Sequence, residues 1–86
     1  MKFDMDKKQL IEEILNIIKS NNILQIDNVI DENIFLFDEY GLNSIGVIDL
    51  VVCIEEKFNF EFEDTDLELS NFNTISNIAN LVLTKI

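Results

Sequence analysis

The sequence has no histidine, no tryptophan and no proline, one cysteine (Cys53), and only two glycines, Gly41 and Gly46. Each scarcity excludes something. With no histidine and a single thiol, the chain cannot assemble a zinc set, an internal disulfide, or a serine or cysteine nucleophile with an imidazole base. Two isolated glycines make no glycine-rich phosphate loop. Lys and Arg total 6 against 17 Asp and Glu, a net charge of −11, so nothing clusters to neutralise nucleic acid or an anionic membrane. The expected partners are basic protein surfaces. No stretch approaches the roughly 20 apolar residues of a membrane span. Met1-Lys2-Phe3-Asp4-Met5-Asp6 puts acids where a secretion signal needs a basic start and an apolar run, so a cytoplasmic protein is expected. A length of 86 residues fits one domain, residues 1–86, with a core of few layers and no stable membrane insertion.

What is present is helical periodicity. Leu10, Ile11, Ile14, Leu15, Ile17 and Ile18 trace one broad stripe, predicting a first helix from Asp4 to Ser20 with Asp4 and Asp6 near its positive end and Lys19 near its negative end. With no proline to end it, Ser20-Asn21-Asn22 marks the stop. The next stretch carries Ile23, Leu24, Ile26, Val29, Ile30, Ile34, Phe35, Leu36 and Phe37 without a sustained period. It reads as a long loop held down by those side chains, with a short helical turn around Ile34 to Phe37. From Asn43 to Phe58 the period returns: Val47, Leu50, Val51, Ile54 and Phe58 lie on one face. Cys53 falls one residue off that stripe and reads as a packed thiol. Phe60 and Phe62 alternate, but with no partner strand a sheet is not expected. Thr65-Asp66-Leu67-Glu68 has capping-box spacing and predicts a short third helix. Thr74 then caps a last helix with the stripe Ile75, Ile78, Ala79, Val82 and Ile86, and with Asn77 and Asn80 outward.

The central helix carries more apolar surface than one core can use. Ile45, Ile48 and Val52 form a second stripe on a different face, flanked by Asp49, Glu55 and Glu56. So small a domain offers no core on two opposed faces, so this stripe is expected to meet a partner. Ser44 stands in the first turn, after a strong cap residue, Asn43. A serine there commonly satisfies a backbone N–H, and without a histidine it is no hydrolase nucleophile. The helix start nevertheless suits a phosphate attached to its oxygen. The acidic run Glu61 to Glu68 is not a calcium loop: counted from Asp64, Leu69 stands where glycine is needed and Ile75 where a bidentate glutamate is needed.

Gly41-Leu42-Asn43-Ser44-Ile45 resembles the phosphopantetheine attachment motif of the acyl and peptidyl carrier protein family. The likeness runs from Phe35 to Val82 through Phe37-Asp38-Glu39-Tyr40, Glu55-Glu56-Lys57-Phe58 and Thr74-Ile75. It implies an all-α, antiparallel four-helix bundle of three longer helices and one short third helix, with a long first loop. It also implies a non-catalytic carrier with 4′-phosphopantetheine attached to Ser44, holding acyl or aminoacyl groups as thioesters. The implied partners are a phosphopantetheinyl transferase, an acyl- or amino-acid-activating enzyme and downstream biosynthetic enzymes, met by a monomer through Ile45, Ile48, Asp49, Val52, Glu55 and Glu56. Leu69-Ser70-Asn71-Phe72-Asn73-Thr74-Ile75 looks more like carriers served by standalone adenylating enzymes than like the fatty-acid type. Two positions depart from the family pattern: Asn43 replaces a common aspartate and Glu63 a common proline. The rival reading is an acidic helical interaction module with no prosthetic group.

Overall fold

A computed structural model describes residues 5–26 and 31–86. The expected helix start at Asp4 and the loop positions Val29 and Ile30 lie outside the described residues. Helix α1 spans Lys7–Ser20 and is opened by Asp6, not Asp4. The Asp6 carboxylate accepts the Gln9 N–H at 2.8 Å and the Gln9 side chain accepts the Asp6 N–H at 3.0 Å, a reciprocal cap. The helix buries Leu10, Ile14, Ile17 and Ile18.

The long connection that follows contains one short helix, α2, Leu36–Tyr40. Its left-handed stop is Gly41, at φ 71°, a conformation that glycine adopts without a Cβ penalty. Helix α3, Ser44–Phe58, starts almost at once and buries Val47, Leu50, Ile54 and Phe58, while Val51 is half-buried. Gly46 sits where a Cβ would come 2.8 Å from the buried Leu42 side chain, so the glycine lets Leu42 close over the helix start. Two backbone hydrogen bonds pin the connection to the far end of the chain. The Leu36 N–H donates to the Asn73 carbonyl at 2.8 Å and the Ser76 N–H to the Glu32 carbonyl at 2.9 Å. Those bonds account for a segment whose sequence shows no period.

After α3 the chain turns at Asn59, and Phe62 drops into the core, edge-on to Phe60 at 4.9 Å and to Phe72 at 6.0 Å. The third element consists of two 3₁₀ turns, Asp64–Asp66 and Leu69–Phe72. Thr65 does not cap it. The reciprocal pair is Glu63 with Asp66, two residues earlier than the capping-box spacing suggested. Helix α4, Ile75–Leu83, is capped by the Thr74 hydroxyl, which accepts the Asn77 N–H at 3.0 Å. It buries Ile75, Ser76, Ile78, Ala79 and Val82, leaves Asn77 and Asn80 exposed, and Ile86 packs only partly against the core. Helix α1 packs on α3 and α4, and the Leu69–Phe72 turn packs on both of the latter. The result is an all-α bundle, with no strand among the described residues.

Candidate functional site

The site is built by the Gly41 turn. Gly41 ends α2, the Leu42 N–H returns to the Leu36 carbonyl at 3.1 Å, and the chain re-enters a helix at Ser44. Asn43 takes the capping duty: its side-chain oxygen accepts the Gly46 N–H at 3.1 Å, and its carbonyl accepts the Val47 N–H at 2.9 Å. Ser44 is therefore exposed and not needed to cap. Among the described residues no hydrogen bond engages the Ser44 and Ile45 N–H groups, which point out of the positive end of α3. An oxygen with free donors beside it at a helix start fits a phosphodiester.

The two faces of α3 separate as the periodicity requires. Leu50 and Ile54 are fully buried, whereas Ile45 is 73%, Ile48 62% and Val52 45% exposed. Asp49 and Glu56 are exposed beside them. Glu55 behaves differently: it is half-buried, and its carboxylate accepts the Phe62 N–H at 2.8 Å. That bond fixes the chain reversal after α3, so Glu55 supports the fold. Cys53 is half-buried, and burial, then the charges of Glu56 and Asp49, push its thiol above the usual range. The thiolate is disfavoured, as a packing role expects.

The structure adds residues the sequence did not offer. An open apolar groove of about 310 Å³ runs from Ser44 along Val47, Ile48, Val51 and Val52, and its opposite wall is Leu67 and Leu69 of the third element. Both leucines are exposed, at 40% and 50%. Their irregular spacing inside an acidic stretch left no periodic signal. The only hint was that two leucines stood in a segment of such polarity. No described helix is long and apolar enough to cross a membrane.

Comparison with known proteins bears directly on this geometry. The family profile for the phosphopantetheine attachment site matches residues 8–82. The D-alanyl carrier protein of Bacillus subtilis is 33% identical over 88% of this chain and 92% of its own length. That of Streptococcus suis is 32% identical over 84% and 89%. The acyl carrier protein of Coprothermobacter proteolyticus is 24% identical over 91% and 92%. An all-helical bundle displaying a serine at a helix start, matched by that profile over most of its length, belongs to the phosphopantetheine-binding carrier protein family, non-catalytic carriers whose prosthetic group is covalently attached 4′-phosphopantetheine.

Proposed function

We propose that residues 1–86 act as one monomeric, cytoplasmic carrier domain whose attachment residue is Ser44 and whose cargo is an aminoacyl group. The observation that carries the site is the division of labour at the head of α3: Asn43 caps, so the Ser44 oxygen is exposed and free to be substituted. The prosthetic group supplies a flexible arm ending in a thiol, on which cargo is held as a thioester. The chain's own part is to present the Ser44 oxygen, to face the attached phosphate with helix N–H groups, and to offer a docking face. The chain offers no histidine to take the Ser44 proton, and the base is placed on the transferase. The docking face is Ile45, Ile48 and Val52, rimmed by Asp49, Glu55 and Glu56. It suits an apolar anchor surrounded by basic groups. An amino-acid-activating enzyme is the proposed loader. The aminoacyl reading is supported by the D-alanyl carriers among the relatives and by the Leu69 to Ile75 segment. Family membership disfavours the rival module without a prosthetic group.

Intact mass after incubation with coenzyme A and a broad-specificity phosphopantetheinyl transferase tests the site. Wild type is expected to gain one phosphopantetheinyl group and Ser44→Ala none; labelling of Ser44→Ala would refute the assignment. Loading of the modified protein by a D-alanine-activating enzyme, set against a fatty-acyl-activating one, tests the cargo. Acceptance of fatty acid alone would refute the aminoacyl reading.

A further inference from the structure

The wall of the groove opposite Ser44 buries no side chain of its own. It hangs between Phe62 and Phe72, both buried, and no side chain from residues 63–71 is buried between them. Leu67 and Leu69, which form the wall, lie in that span, Leu69 at the start of the turn that packs on α3 and α4 and Leu67 before it. What ties it down midway is Asp66. One oxygen of its carboxylate accepts the Glu63 N–H at 2.8 Å and meets the Lys85 ammonium at 2.6 Å. Its carbonyl accepts the Asn71 side-chain amide at 2.9 Å. Lys85 follows α4, whose Ile78, Ala79 and Val82 are fully buried, and its own N–H is bonded to the Val82 carbonyl at 2.9 Å. The turn that follows α4 thus reaches the middle of the span. A hydrogen bond between α4 and the span, from the Asn77 amide to the Ser70 carbonyl, is long at 3.4 Å. The Asp66–Lys85 pair is also shielded, with side chains 16% and 19% exposed, against 32% and 52% for Glu13–Lys57.

We infer that Asp66 and Lys85 are positioning residues for the groove beside Ser44: their ion pair sets how far Leu67 and Leu69 stand from α3, and so what can approach the Ser44 oxygen along that side. The inference rests on the reading of Ser44 as the attachment residue. A partner that reaches Ser44 along this side passes the wall, so displacing the wall weakens encounter without altering the chemistry at the oxygen.

The test compares Lys85→Met, which keeps the stem and removes the charge, with Lys85→Arg, which restores the pair, and with Lys8→Met on exposed α1 as a charge-matched control. Methyl-labelled NMR reads Ile48 and Val51, on the wall across from Leu67 and Leu69. Transfer kinetics with coenzyme A and a broad-specificity transferase read KM for the apo-protein and kcat separately. In Lys85→Met the Ile48 and Val51 methyl shifts are expected to move and KM to rise about two- to fivefold, the scale of one shielded ion pair, at unchanged kcat and with a melting temperature within a few degrees of wild type. Lys85→Arg is expected to restore both. Unmoved methyl shifts in Lys85→Met, or a KM change no larger than that of Lys8→Met, would overturn the inference. If wild type gained no phosphopantetheinyl group, the attachment reading would fall instead, and the NMR comparison alone would decide the positioning of the wall.

Discussion

Asn43 caps α3 and leaves Ser44 exposed, and that division can be measured. Asn43→Ala removes the acceptor for the Gly46 N–H and is expected to cost about 1 kcal/mol, a fall in melting temperature of about 4–8 °C for a domain of this size. Asn43→Asp keeps the cap and adds a charge at the positive end of α3, so it is expected to melt at or slightly above wild type. Were Asn43→Ala to melt like wild type, Ser44 would be capping the helix and could not be freely displayed. Glu55 separates in the same way. Glu55→Gln retains an acceptor for the Phe62 N–H, whereas Glu55→Ala leaves it unpaired at about 1–3 kcal/mol. The melts of the two variants are therefore expected to differ, which a purely partner-facing glutamate would not produce.

On the scale of the element, α3 is one helix with two apolar faces, one buried and one exposed. Leu50→Ala or Ile54→Ala empties a fully buried position and is expected to cost about 2–5 kcal/mol. Ile48→Ala or Val52→Ala removes exposed surface and is expected to leave stability within about 0.5 kcal/mol while weakening transfer from a loading enzyme. Melts and loading assays on the same four variants check both statements. Loss of transfer that merely tracked loss of stability would return Ile48 and Val52 to the core. Asp49→Lys with Glu56→Lys is expected to slow loading most at low ionic strength, with the gap from wild type closing as salt is raised.

For the whole molecule, the dominant electrostatic fact is a charge of −11 on 86 residues. Screening of that self-repulsion is expected to raise the melting temperature of wild type as added salt shortens the screening length to about 8 Å. The Asp66–Lys85 pair acts in the opposite sense and over a defined pH window. The Lys85 hydrogen bond, then the Glu63 N–H, hold the Asp66 carboxyl below its usual value, so this contribution is present above the ordinary carboxylate range and lost as pH falls through the lowered value. Asp66 in turn holds Lys85 above its usual value, so that contribution is present below the ordinary lysine range and lost as pH rises through the raised value. The melting difference between wild type and Lys85→Met is therefore expected to be a plateau at neutral pH that closes at both extremes. A difference that persisted below the titration of Asp66 would not come from the ion pair, because Lys85→Met keeps the stem and removes only the charge.

The three longer helices, the inward and outward faces of α3, the display of Ser44 and the cap at Thr74 were legible in the sequence because each is local: a period, a cap residue, a turn glycine. What the sequence alone did not determine depends on partners distant along the chain. Helix α2 is expected as a turn around Ile34 to Phe37, but its extent, Leu36–Tyr40, is too short for a period, and the bonds from Leu36 to Asn73 and from Ser76 to Glu32 that pin its segment leave no local pattern. The Glu55 to Phe62 bond exists only once the chain has reversed after α3. Thr65 had the spacing of a cap, but Glu63 and Asp66 formed the reciprocal pair, and Asp66 was also drawn to Lys85. The groove beside Ser44 was decided last of all, since its wall is two leucines with no periodicity, set opposite α3 by contacts that only the folded chain brings together.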